Sequence, residues 1–414
     1  MPSPDEQSPP SLAWETMIRW RVRHIEDPVE RLRFLRHTVG DRRTWRPSAR
    51  SGQAFWRRHR VRAGVLLALV SLWPAGRFAG AIRTWSQPVP VRAEKPAADP
   101  APTVWLVEEQ AGYETYSNGL RIEKQWTVAN QPRRYRAFRL GDESPGGGEE
   151  RAWPAGIVFH TTESHLVDFA PERTKDLKRH AAGVLEYVRN EKAYHYVIDR
   201  FGRVWRIVRE QDVAFHAGNS VWADEESTYV NLNQSFLGVS VEAQTRSEDG
   251  RPSTNAAQVH ALRVLSEMLR SKYRLNPVNC VTHAQVSVNP SNHQLSYHTD
   301  WAQGFPFAAI GLPDNYRLPS PAIWVFGFSY SPALMKLSDT PFWQGLLLGE
   351  DKMRQRATAH GQEAAAFRQR LRERYGRVLT SVRTAYGAVP SEGGPESKSP
   401  PAEDRRSTDE KRSG

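Results

Sequence analysis

The chain holds a single cysteine, Cys280, among 414 residues, which excludes an intrachain disulfide framework and any zinc site built from clustered cysteines. A bound metal would have to be held by histidine and carboxylate. Long apolar runs are scarce too. The most apolar stretch, AGVLLALVSLWPAGRFAGA at 63–81, has a core of about a dozen residues, short of the ~20 that a transmembrane helix wants and within the 7–15 of a secretory signal. Ala79-Gly80-Ala81 could end a cleavable signal; an uncleaved anchor or a buried core helix are the alternatives. No aromatic-basic module of the kind that reads nucleic acid is present, so no nucleic-acid partner is expected.

What is abundant is positive charge, and it is unevenly spread. The net charge is +11, and RLRFLRHTVGDRRTWRPSAR (31–50) and FWRRHRVR (55–62) carry much of it. Placed directly before an apolar run, this basic region at 1–62 fits a cytoplasmic N-terminus, with the remainder exported and the membrane contacted through the N-terminal segment. A Pro- and Ala-rich linker follows at 82–103, semi-extended and long enough to hold the next domain off a surface.

Residues 104–150 contain strand-like TVWLVEEQ and GLRIEKQWTVA and read as a small β extension or an edge appended to the next unit. From 151 to 310 strand and helix signals alternate. GIVFH (156–160) is a short apolar run of buried-strand type, and TKDLKRHAAGVLEYVRN (174–190) carries a helical stripe of Leu177, Ala181, Val184, Leu185 and Val188. YHYVIDR and RVWRIV form a hairpin around Phe201-Gly202, FLGVSVEAQ (236–244) adds a strand, and a helix follows a cap signal at 253–254 with Val259, Leu262, Leu265 and Leu269 on one face. CVTHAQV (280–286) reads as a last strand. This order predicts an α/β fold, a mixed central β-sheet flanked by helices. The region 311–387 is a C-terminal helical extension, with an amphipathic helix expected over 351–384, and 388–414 reads as a disordered tail.

The chemistry-bearing residues lie at strand ends. His160 ends GIVFH, His283 lies in CVTHAQV, and Asp300 sits in HQLSYHTDWAQGFPF (293–307). Strand ends of an α/β domain converge at one sheet edge, so two imidazoles and a carboxylate could hold zinc with a fourth position left open. Spacing alone does not separate that from an ordinary polar loop, because no pair sits at the helical i, i+4 separation.

GIVFHTTES, AYHYVIDRFGRVWRIVREQDVAFHAGNS, FLGVSVEAQ, VTHAQV and HTDWAQGFPF, in this order, resemble the zinc-dependent N-acetylmuramoyl-L-alanine amidase and peptidoglycan recognition protein family over roughly 150 of 414 residues. The resemblance implies that His160 and His283 are zinc ligands and that Asp300 completes the site. It places Tyr194 at a tyrosine used beside the zinc, and His298 at a lysine that helps stabilise the oxyanion. His216 falls where the family lines its substrate groove, and Asn219 and Trp222 either line it too or are surface loop residues. Departures are visible as well. Ser240 stands where some relatives carry a catalytic Glu, and Glu242, two residues on and on the same strand face, is the candidate stand-in. The Pro-Gly turn of the family's last motif is missing here, which keeps His293 as a rival third ligand. His195 is expected to be a structural histidine, and Glu163 and His165 either orient His160 or belong to the loop. The implied function is a peptidoglycan hydrolase of the cell envelope that cuts between N-acetylmuramic acid and the L-alanine of the stem peptide. The alternative is a non-catalytic peptidoglycan-binding protein on the same fold. Peptidoglycan or muropeptides are the expected partners, and Zn2+ the expected cofactor.

Overall fold

The computed structural model describes residues 103–141, 147–245 and 254–387, all within a unit spanning 93–414. The basic region, the apolar segment at 63–81, the linker but for its last residue, and the tail at 388–414 lie outside the described residues. Among the described residues no helix is long and apolar enough to cross a membrane.

The centre is a sheet of eight strands. In chain order its members are β1 (Leu106–Glu109), β2 (Tyr113–Tyr116), β3 (Arg121–Glu123), β6 (Gly156–Thr161), β7 (Tyr196–Ile198), β8 (Val204–Arg206), β11 (Phe236–Val241) and β12 (Cys280–Thr282). They are arranged β1-β2-β3-β8-β7-β11-β6-β12. β7, β11, β6 and β12 run parallel, while β1, β2 and β3 join antiparallel, so the mixed sheet is as expected. Every residue of β6 and of β11 is buried, as a parallel strand covered on both faces must be. A second, antiparallel sheet holds β4 (Tyr135–Arg139), β5 (Glu149–Arg151), β9 (Val221–Ala223) and β10 (Ser227–Val230) in the order β5-β4-β10-β9. Residues 104–150 thus supply strands to both sheets, and β2 (YETY) is one that the sequence did not mark.

Helix α1 (Thr174–Glu191) buries Leu177, Ala181, Leu185 and Val188 on one side of the large sheet. Helix α2 (Ala256–Tyr273) opens on a capping box between Asn255 and Gln258, one residue beyond the expected cap. Two further readings are corrected. CVTHAQV is not one strand: β12 ends at Thr282, and His283–Val286 forms a single helical turn, α3, capped by Thr282 with Gln285. A threonine three residues before glutamine is a helix-start signature that outcompeted the short apolar pattern. The helix expected over 351–384 is two helices, α4 (Thr340–Ala359) and α5 (Ala364–Tyr386). The chain breaks at Gly361, whose φ of 63° is left-handed, and His360 is exposed at the break rather than part of a packed stripe. α5 packs through Phe367, Leu371, Tyr375, Val378 and Val382. Arg368 and Arg372 turn inward to the carbonyls of Phe328 and Gly327 at 2.8 Å each.

Candidate metal centre

Parallel register brings the site together. In β6 and β11 His160 pairs with Ser240, and in β6 and β12 Phe159 pairs with Thr282, so His283, the first residue past β12, arrives beside His160. Their ring centroids are 4.4 Å apart. Asp300 comes from the loop after the short hairpin of β13 (Val288–Asn289) and β14 (Gln294–Leu295). That loop is pinned at several points. Ser296 Oγ donates to the Ala284 carbonyl at 2.7 Å, the His298 N–H to Ser287 Oγ at 3.1 Å, and the Ala284 N–H to the Asp300 carbonyl at 3.2 Å. Trp301, fully buried with a left-handed φ of 57°, anchors the far side.

The outcome is a trio of His160, His283 and Asp300 whose ligand atoms lie within 4.8 Å of one another. His283 Nδ1 faces Asp300 Oδ1 at 2.8 Å and His160 Nδ1 faces Oδ2 at 3.2 Å. Burial pushes the Asp300 carboxyl up, but the facing imidazoles of His283 and His160 override it and hold the group well below the usual carboxylate range. Two imidazole nitrogens and one carboxylate, buried and convergent, form a donor set that suits zinc with a position left for water or substrate. His293 lies outside this trio, its ring 6.1 Å from Phe328 and its carbonyl accepting from Ser329.

Two further expected residues flank the trio. The Tyr194 ring is 5.0 Å from that of His160, and the His298 ring stacks on His283 at 4.8 Å with 11° between planes. Tyr297, 66 % exposed, stands edge-on against His298 at 4.8 Å.

Glu242, His216, Trp222 and Asn219 are not placed as expected. Glu242 is not joined to the trio: its carboxylate accepts the Arg200 N–H at 3.2 Å. Ser240 holds the position in register with His160, and two further residues at ~3.3 Å each carry Glu242 past it. His216 is buried behind His160 rather than open to a groove, with its Nδ1 3.1 Å from His160 Nε2. Burial, and then the neighbouring His160, hold its pKa well below the usual imidazole value. Trp222 is a core residue that donates to Asn279 Oδ1 at 3.1 Å. Asn219 is occupied by Arg383 on α5 at 3.3 Å. Glu163 does not orient His160; it ties the end of β6 to that of β11 by accepting the Thr245 N–H at 2.9 Å, and His165 lies 6.4 Å from His180. His195 is structural: it accepts the Gly238 N–H at 2.9 Å, and burial, then Arg133, lower its pKa to about 3.

An open groove of about 560 Å³ does exist, between the loop after β6 and α1. Thr162 and Ser164 form one wall, and Arg179, His180, Val184 and Tyr187 the other. Val184 belonged to the expected buried stripe, and periodicity could not show that it faces a cleft. Sequence reasoning also missed Arg133, Asn233 and Gly238 behind the site, since nothing local marks residues whose partners lie so far along the chain.

Two imidazoles and a carboxylate that converge beside a mixed sheet are a donor set on which metal-assisted hydrolysis can be built. Residues 150–300 match the family profile of N-acetylmuramoyl-L-alanine amidase, a span that ends on Asp300. Over 89 residues the chain is 30 % identical to N-acetylmuramoyl-L-alanine amidase AmiD of Escherichia coli (strain K12), a match covering 20 % of this chain and 31 % of that protein. The chain therefore spans about a third of the length of this curated relative. Solved structures with a similar course include AmiD of E. coli with the substrate anhydro-N-acetylmuramic acid-L-Ala-D-gamma-Glu-L-Lys (17 % identity, 60 % of this chain and 98 % of that one, TM-score 0.32). AmpDh3 of Pseudomonas aeruginosa in complex with anhydromuramic pentapeptide is another (18 % identity, 57 % and 93 %, TM-score 0.31).

Proposed function

We propose that the protein is a zinc-dependent N-acetylmuramoyl-L-alanine amidase, hydrolysing the amide between N-acetylmuramic acid and the L-alanine of the stem peptide. The observation that carries this reading is the complete trio of His160, His283 and Asp300 inside the segment that matches the amidase profile. A non-catalytic binding role would not call for all three. His160 and His283 through Nδ1, and Asp300 through its carboxylate, would hold the ion. When bound, zinc would supply Lewis acidity, polarising the scissile carbonyl and lowering the pKa of water toward ~7.

The chain's own groups have two tasks. Hydrolysis adds water to the carbonyl carbon and breaks the C–N bond, so the carbonyl oxygen gains negative charge and the departing nitrogen needs a proton. Tyr194 and His298 flank the trio on two sides, where each can donate to the developing oxyanion, at a typical ~2.7–4 kcal/mol per donor. His298 is also the group for the leaving amine, since histidine is the side chain that most often serves as a general acid. The groove between the β6 loop and α1 is concave, part apolar and part charged, and is where the muropeptide would lie. We place the protein in the cell envelope, exported, with its N-terminal segment at the membrane.

The test is digestion of purified peptidoglycan with the full chain, with and without a chelator, followed by assay for new N-terminal alanine. Release by the zinc-loaded protein, abolished by chelation and by His160→Ala, is expected. No release from the zinc-loaded wild type sinks the amidase reading, and undiminished release by His160→Ala sinks the assigned site.

A further inference from the structure

His216 is held behind the trio by contacts that owe nothing to a metal. Its own N–H and that of Ala217 both donate to Asn233 Oδ1, at 2.8 and 2.6 Å. Its ring lies against Gly238, where an added Cβ would come within 2.5 Å of the His216 Cγ. Its Nε2 is 3.3 Å from the Phe236 carbonyl, which also receives Arg133 Nη1 at 3.2 Å.

A carbonyl oxygen can only accept, so Nε2 of His216 is the nitrogen that carries the proton. A neutral imidazole has one N–H, which leaves the lone pair on Nδ1. That lone pair faces His160 Nε2 at 3.1 Å, so His160 donates from Nε2. The lone pair of His160 then sits on Nδ1, turned to Asp300 Oδ2 at 3.2 Å. In the neutral ring acceptor would face acceptor there, so the contact calls for a cation between them, either a second proton on Nδ1 or a metal ion.

The geometry points to His216 as a positioning residue that selects the Nε2–H tautomer of His160 and so turns that ligand's Nδ1 lone pair toward the metal. Asn233, Gly238 and the Phe236 carbonyl hold His216 in place for this task. The consequence for metal binding rests on the zinc reading above; the tautomer itself does not.

Both can be measured on the full chain. Long-range 1H–15N correlation spectra of the metal-free protein report the His160 tautomer, and competition against a chromophoric chelator reports zinc affinity in wild type, His216→Leu, His216→Gln and His216→Asn. Asn places an oxygen near the position of Nδ1, whereas Gln reaches toward Phe236 and leaves Nδ1 unreplaced. Expected are a His160 ring that carries its proton on Nε2 in wild type, with or without a second one on Nδ1, zinc affinity about 10- to 100-fold weaker in the Leu and Gln variants, and Asn within about threefold of wild type. An Nδ1–H tautomer in wild type overturns the role, as does wild-type affinity in folded His216→Leu or Gln binding as well as Asn. If the Leu variant fails to fold, the order of Asn against Gln decides alone. A wild type that keeps the Nε2–H tautomer but binds no zinc overturns the zinc reading and the metal-directing role with it.

Discussion

Glu242 is buried on the same sheet end as the trio, and that burial pushes its carboxyl up to about 7 from an ordinary 4.5. Between those two values the folded chain keeps a proton that the unfolded chain has released, so stability falls as pH rises through that window. The full difference is worth ~3 kcal/mol. Glu242→Gln keeps an acceptor for the Arg200 N–H and removes the titration. Its melting temperature should match wild type near pH 5 and exceed it increasingly up to pH 8; parallel curves across that range would refute the assignment. Residue type explains what was readable at this scale. His160 and His283 stood out because their chemistry coincides with strand ends, and Asp300 through the ordered motifs that resemble the amidase family. His216 and Trp222 were misread as groove residues because whether a loop side chain faces solvent or core depends on strands far away, and Glu242 because alternation gives its face but not its depth.

β6 shows how an element is set by a residue with no side chain. A Cβ on Gly156 would come within 2.2 Å of the Asn279 carbonyl and 2.3 Å of a Phe236 ring carbon. The start of the ligand-bearing strand is thus packed directly against the turn before β12 and the first residue of β11. Gly156→Ala should cost about 1–3 kcal/mol by overpacking, read as a lower denaturant midpoint with unchanged slope. It should weaken metal binding only in proportion to unfolding. A loss below about half a kcal/mol would mean that the three strands are not so tightly joined. The elements that could be read ahead, β6, α1, β11 and α2, have a clear period of two or 3.6, or an unbroken apolar run. The one-turn helix that presents His283 is too short to have a period, and the α4–α5 break rests on one left-handed glycine inside an otherwise continuous stripe.

Over the whole unit, the family-matched segment 150–300 does not carry its own support. Arg133, from before that segment, is buried and donates to the carbonyls of Glu210, Asp212, Gln234 and Phe236 at 2.6–3.2 Å. Glu114 on β2 pairs with Arg206 on β8 through two bonds of 2.7 and 2.6 Å. Arg206 reaches on to Glu210, which also holds Lys272 of α2 at 2.6 Å. Little of this is legible in the sequence, because Arg133 and its carbonyls, Glu114 and Arg206, and Glu210 and Lys272 each lie more than sixty positions apart. A fragment of 150–300 alone would leave Arg206 short of a carboxylate and four carbonyls without their guanidinium. Removing one partner of a buried pair costs roughly 3–5 kcal/mol, a large share of the ~5–15 kcal/mol that holds a typical domain together. We expect residues 103–387 to melt in one cooperative transition, and 150–300 to show neither a melting transition nor dispersed amide resonances. A folded, zinc-binding 150–300 fragment would mean that the N-terminal strands and the C-terminal helices are additions to a self-sufficient domain, and that the buried arginine stabilises only the segment that brings it.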